Sequence, residues 1–368
     1  MRRLPLLFAS VLLPACLSGQ VLIPDEVACP GCTVEAEVAV RLGTPDGPGA
    51  LLGPPLAVTE DARGRYWVTW SDDLPMVFSA TGPFEAILGR AGEGPGEFVG
   101  PGRILPVPGD SVLIFDGALR RATVVDPQLS SVRTIRMPGS GSRGHVLRWP
   151  DSVLIAGSVA TPEFAGRPLQ FLDLSGSSGT VLSAFGDTSD AGDLRTLDQA
   201  RLLRHVSIGN REGVWLSAVV DYDVFRWTPG SENLTWLSRR PEWFRTTSPW
   251  SLGSPDRPPP PFVQGLSQDE AGLLWVFTTV ARPDWASAWP DVPAGVVEIP
   301  SIHGPSHFEL YRSVLEVIDP RSRRVVTRAE FPNWLIVSPL PGRRAAFYVE
   351  DALGVPSILV VQLSLAGY

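Results

Sequence analysis

The chain has 368 residues, a formal net charge of −8, and 31 basic residues that are all arginine. An apolar fraction of 44% excludes a disordered chain, and 37 prolines beside 36 glycines exclude an architecture of long helices. The acidic balance excludes the basic footprint of a nucleic-acid binder.

The chain opens on an address. Arg2 and Arg3 precede an apolar stretch over 4–15, the length of a signal-peptide core and too short to span a bilayer. Its end, Leu13-Pro14-Ala15-Cys16, resembles a bacterial lipobox, in which Cys16 is lipidated and becomes the mature N-terminus. Ordinary cleavage near Gly19, discarding Cys16, is the other reading. Both make 1–19 a signal peptide and the mature protein exported: a periplasmic or cell-envelope lipoprotein, or a secreted protein. Membrane contact is expected only through the lipid anchor. No later segment is long and apolar enough for a transmembrane helix.

Residues 20–33 form an N-terminal segment containing Cys29-Pro-Gly-Cys32. A thioredoxin-like site needs a helix start, but 33–40 is strand-like; haem attachment needs a histidine where Thr33 stands. A zinc site needs two more ligands nearby. In an oxidising compartment, the expectation is a small structural disulfide between Cys29 and Cys32 that pins the N-terminal strand.

From there one pattern recurs six times: an apolar stretch, a tight turn, then a strongly β-prone stretch. The turn and second stretch read Asp61-Ala-Arg-Gly-Arg-Tyr-Trp-Val68 first, and Asp269-Glu-Ala-Gly-Leu-Leu-Trp-Val276 in the fifth unit. Third strands end in turns such as Val124-Val-Asp-Pro127 and Val317-Ile-Asp-Pro320, and a fourth strand follows. Four antiparallel strands per repeat predict propeller blades. The last repeat supplies only three strands, over 334–340, 344–350 and 358–363, while 34–41 is a spare alternating strand near the N-terminus. The predicted fold is therefore all-β: one six-bladed β-propeller over 34–368, closed by the N-terminal strand joining the last blade.

The run Leu88-Gly-Arg-Ala-Gly-Glu-Gly-Pro-Gly-Glu-Phe98, then Pro101-Gly-Arg-Ile104 and Phe115-Asp116 with Arg120 and Arg121, resembles six-bladed propellers of the NHL-like type found in exported bacterial proteins. The resemblance covers the mature chain, with this one blade matching well. It implies that the Gly-rich turn leads from one blade into the innermost strand of the next.

Propeller geometry maps loop lengths onto faces. Turns between strands one and two, and three and four, share one face and are short here. The long insertions, near 157–168, 186–203, 240–261 and 281–312, belong to the other connections and share the opposite face. A binding site is expected there. Trp243, Trp250, Trp285 and Trp289 lie in these insertions, with Phe244 and the proline run 258–261. They either stack on sugar rings or extended peptide, or bury against the blade ends and hold the loops. His145 and His205 each sit at the start of an innermost strand, and Arg103, Arg204, Gln264 and Asn333 take similar positions in other blades. The candidate ligand-binding set is Arg103, His145, Arg204, His205, Gln264, Asn333, Trp250, Trp285 and Trp289.

Catalytic patterns mostly fail. In His303-Gly-Pro-Ser-His307 the four-residue spacing would align two histidines only on a helix, which Gly304-Pro305 opposes; a surface loop is expected. Six-bladed lactonases hold calcium with Glu, Asn and Asp near strand ends, and of Asn210, Asn233 and Asn333 only the last is suitably placed. No Gly-x-Ser-x-Gly elbow or Walker loop occurs. The expected function is non-enzymatic binding of a glycan, peptide or protein through the long-loop face, by a monomer, with no cofactor, no metal ligand and no catalytic residue assigned. The alternatives are a metal-dependent, lactonase-like hydrolase or lyase at the channel mouth, and a structural module of an envelope complex.

Overall fold

The computed structural model describes residues 21–70, 72–138, 145–149, 152–156, 169–185, 204–208, 213–227, 234–245, 254, 256–289 and 305–368. Their strands form six four-stranded antiparallel sheets. The innermost strands are Ala57–Glu60, Pro101–Val107, His145–Trp149, Arg204–Ile208, Phe262–Gln268 and Leu335–Leu340. Each lies against the innermost strand of the next sheet, and the sixth lies against the first. The fold is a closed six-bladed β-propeller.

Six apolar clusters hold the ring, one in each gap between neighbouring blades. Successive residues of a strand point into alternate gaps. Ile358 and Val360 pack towards blade 1 while Leu359 and Val361 pack towards blade 5. In blade 2, Val112 and Ile114 face blade 1 while Leu113 and Phe115 face blade 3. A blade buried on both faces needs apolar residues at every position, so these strands read as continuous runs such as Val-Leu-Ile-Phe.

Closure follows the expected route. Thr33–Leu42 pairs antiparallel with Pro356–Ala366 as the outermost strand of blade 6. The Cys29–Cys32 disulfide forms just before that strand. The preceding residues do more than the sequence suggested. Val21 and Leu22 pair in parallel with Leu237 and Ser238 on the outer edge of blade 4, and Val27 bridges to Val325 on blade 5. The N-terminal segment thus straps blades 4, 5 and 6 together and satisfies edge groups that would otherwise stay open.

A buried charge network sits beneath this strap. Glu316, on the third strand of blade 5, is fully buried and accepts from Arg239 of blade 4, from Arg328, and from the Tyr222 hydroxyl. Arg239 also donates to the Ile23 and Pro24 carbonyls and the Asp25 carboxylate. Burial opposes the Asp25 charge, but the hydrogen bond from Arg239 and the charges of Arg328 and Arg239 outweigh it and hold its pKa below normal. Burial, followed by the Glu316 charge, pushes the Tyr222 hydroxyl far above the usual phenol range.

The repeat's short turns have a chemical cause. In blade 1 the Asp61 carboxylate accepts from the backbone amides of Arg63 and Arg65, from Arg65 Nε at 2.7 Å and from Trp67 Nε1 at 3.0 Å. In blade 5 Asp269 accepts from the Leu273 amide and from Trp275 Nε1 at 3.0 Å. One aspartate therefore closes the turn and satisfies a buried indole. The Gly-rich connection leads from blade 1 into blade 2: Arg90–Ala91 pairs in parallel with Glu97–Phe98. Gly89 adopts φ +72°, and a Cβ there would meet the Gly96 carbonyl oxygen at 2.5 Å. Asp116 accepts from the Val99 and Leu119 amides, and Arg121 donates to carbonyls of Glu93, Gly94 and Glu97.

Candidate functional site

The connections between second and third strands, and between blades, share one face, and the central channel opens among them. A cavity of about 470 Å³ lies at that mouth, between blades 5, 6 and 1. Pro54, Pro55 and Leu56, entering blade 1, form one wall, and Trp70 lies beside them at the end of the second strand. Phe262 and Gln264 contribute from the innermost strand of blade 5, Thr279 from its second strand, and Leu335, Ile336 and Val337 from blade 6. His307, Tyr311 and Asp72 complete the lining.

Apolar wall residues alternate with polar ones, since Asp72, Gln264, Thr279, His307 and Tyr311 all border the cavity. Trp70 Nε1 is committed to the Gly53 carbonyl at 3.3 Å. Thr279 is buried, and its hydroxyl has no hydrogen-bond partner among the described residues. Such a group is available to a ligand that reaches it. Leu52, Leu56 and Val99 are exposed on connections of the same face. The apolar wall residues beside this apolar rim are suited to a hydrophobic group on a ligand.

His307 was expected in an exposed loop, and it is exposed, but on a single helical turn, His307–Leu310. Pro305 precedes the turn rather than interrupting it. Ser306 caps the turn: its hydroxyl accepts from the Glu309 amide while the Glu309 carboxylate accepts from the Ser306 amide. The His307 ring lies 5.6 Å from that of Tyr311. The crowded mouth desolvates the imidazole and lowers its pKa, favouring the neutral form. His303 lies outside the described residues.

The fold brings most of the sequence-derived set to one end of the ring. Arg103 and Gln264 are each the third residue of an innermost strand; His145 is the first of its strand, and Arg204 and His205 are the first two of theirs. Among the described residues of the set, Gln264 lines the cavity. Arg103 has no ion-pair partner among the described residues, its Nε lacks an acceptor, and burial pushes its pKa down to about 10. It places a positive charge with no acidic partner among the described residues on the blade 2 side of the channel. Asn333 is exposed in the turn that enters blade 6.

The loop tryptophans serve as anchors where they are described. Trp285 begins a short 3-10 turn, and both it and Trp289 pack against the apolar cluster between blades 6 and 1, outside the cavity lining. Trp243 packs against the cluster between blades 4 and 5, under the Arg328 guanidinium at 5.0 Å, and meets Tyr222 and Phe244 edge-on. Trp250, the lipobox Cys16, Asn210, Asn233 and the insertions over 157–168 and 186–203 lie outside the described residues. Sequence reasoning missed Trp70, Thr279, Tyr311 and the Pro54-Pro55 wall. The proline pair before a blade entry was the available signal. Among the described residues, no three His, Cys, Asp or Glu side chains gather as a metal site.

The geometry defines a class: a six-bladed propeller with a compact pocket of mixed apolar and polar lining at its channel mouth. No protein-family model matches the chain, and no curated protein matches it. Its fold is similar to that of a Bacteroides fragilis protein described as exported (TM-score 0.56, 11% identity, 94% of this chain and 99% of that one). It is similar also to a member of the DUF4221 family from Bacteroides vulgatus (TM-score 0.59, 10% identity, 90% and 99%). A virginiamycin B lyase from Staphylococcus aureus is more distant (TM-score 0.45, 10% identity, 90% and 99%) and carries no argument about chemistry.

Proposed function

We propose that this is an exported binding protein that takes an extended segment of a peptide or protein partner at the channel mouth. The observation that carries this reading is the cavity between blades 5, 6 and 1, walled by Pro54, Leu56, Trp70, Phe262 and Val337. Its size suits one or two side chains, and its proline, leucine and aromatic walls suit an apolar side chain beside the polar groups of Gln264, Thr279 and His307. The Arg103 charge deeper in the ring favours an acidic residue or a chain terminus beside that apolar anchor. Export rests on the N-terminal signal pattern and accords with the description of the Bacteroides fragilis structure.

Selection from a random peptide library on the wild-type protein tests it, with Leu56→Glu as the mouth-blocking variant. Leu56 is 39% exposed, so the charge should leave folding intact. Peptides carrying an aromatic or branched apolar residue should be enriched on the wild type and bind the variant about tenfold or more weakly. Enrichment that is equal on both proteins refutes the site. Stoichiometric calcium or zinc, lost together with a hydrolytic activity, would replace this reading with the metal-enzyme one.

A further inference from the structure

On the opposite face, between blades 4 and 5, a separate cleft of about 820 Å³ is lined by Trp215, Arg226, Arg321 and Arg323, with Glu270 the one lining carboxylate among the described residues. Trp215 occupies the same register position as Trp67 and Trp275. Each lies opposite the next-to-last residue of its paired innermost segment: Thr59 for Trp67, Ser207 for Trp215 and Ser267 for Trp275. Each is preceded by a turn of the same length, because the flanking pairs are Glu60 with Tyr66, Ile208 with Val214 and Gln268 with Leu274. In blades 1 and 5 that turn opens on the aspartate that accepts from the indole. At the corresponding sequence position blade 4 has Gly209, which lies outside the described residues.

The acid is absent while the indole remains; Gly213 stands at the position of Arg65, and a guanidinium comes instead from Arg226, opposite Trp215 on the third strand. Trp215 is 2% exposed, and its Nε1 has no acceptor among the described residues. Arg65 stands 5.7 Å over the Trp67 ring in blade 1, and Arg226 stands 5.9 Å over the Trp215 ring in blade 4. Arg65 spends its charge on Asp61 at 2.7 Å. Arg226 has no ion pair among the described residues and lies close over Gly213, where a Cβ would meet its Nε at 3.1 Å. Arg321 crosses Gly272 from the blade 5 side in the same manner, at 3.3 Å. The cleft thus joins a buried donor lacking its acceptor to three cations, on a protein whose net charge is −8.

We propose that this cleft binds an oxyanion, one of whose oxygens takes the place of the missing turn aspartate beside Trp215 and Arg226. The ligand class is an organic anion carrying carboxylate, sulfate or phosphate groups, with Arg321 and Arg323 reaching its outer charges. This site is independent of the mouth on the other face.

Calorimetric titration of the purified chain at low ionic strength, with citrate in one arm and inorganic sulfate in the other, tests the proposal. Saturable binding of either supports it, and the arm that binds tells a carboxylate ligand from a sulfate-like one. Arg226→Gln should weaken that binding about tenfold or more. Gly209→Asp should supply the acceptor internally, abolish anion binding and raise the melting temperature, while Leu56→Glu on the opposite face should change nothing. The proposal is overturned by no saturable binding of either anion up to about 10 mM, or by binding that survives both Arg226→Gln and Gly209→Asp.

Discussion

Arg239 and Glu316 come from adjacent blades and meet in a two-point ion pair, Nε to Oε2 at 3.1 Å and Nη2 to Oε1 at 2.7 Å, with 1% and 0% of their side chains exposed. Removing one partner leaves the other charged and buried. Arg328 and Tyr222 still bond Glu316 when Arg239 is lost, so Arg239→Ala should cost about 1–3 kcal/mol, read as a lower urea midpoint at unchanged slope. It should also release the strap, because Arg239 holds the carbonyls of residues 23 and 24. Faster proteolysis of the N-terminal segment would report that release. A loss below about 1 kcal/mol would contradict the role assigned to the pair.

The strap predicts an acid dependence. Asp25 has a folded-state pKa below its ordinary 3.8, so its contribution is complete above that value and disappears as pH falls through the folded-state pKa. Asp25→Asn should therefore be less stable than the wild type at neutral pH. The two urea midpoints should converge only in strong acid, below about pH 4. A gap that is constant down to that range would assign the effect to packing instead.

Asp61 closes its turn and accepts from both Arg65 and Trp67, with 1% of its side chain exposed. Asp61→Ala orphans a guanidinium and an indole together, and should cost about 3–5 kcal/mol. Asp269→Ala removes the acceptor of the Trp275 indole and should cost about 1–3 kcal/mol. Thermal unfolding of the two variants gives the order directly.

Gly265 interrupts the innermost strand of blade 5, where a Cβ would stand 2.7 Å from the Pro339 ring of blade 6. Proline and glycine meet because the innermost strands converge on the channel. Gly265→Ala forces two blades apart and should cost about 1–3 kcal/mol in a chemical denaturation experiment.

Much of this architecture was legible as sequence. The six recurring turns announced the blades, and in two of them an aspartate closes the turn and satisfies an indole six residues on, as Asp61 with Trp67 and Asp269 with Trp275 do. The spare strand at 34–41 announced the closure. The candidate site was legible only as a location. Strand order brings residues such as Arg103 and Gln264 to one end of the ring. Which of them borders a cavity depends on how the connections fold over it. Trp285 and Trp289 showed the same ambiguity: a loop tryptophan reads alike whether it anchors the loop or receives a ligand, and here the described contacts are those of anchors.

A tenth of proline, six repeats of one turn-and-strand pattern and a spare N-terminal strand determined an all-β ring of short strands, since alternation, turn chemistry and strand count are local properties carried by neighbouring residues. Tertiary structure alone decided the rest. It set Glu316 under Arg239 and Arg328, laid residues 21–28 across two blades, and left Trp215 without the carboxylate its counterparts have. These are contacts between residues far apart in sequence, and their energies depend on burial, which exists only once the ring has closed.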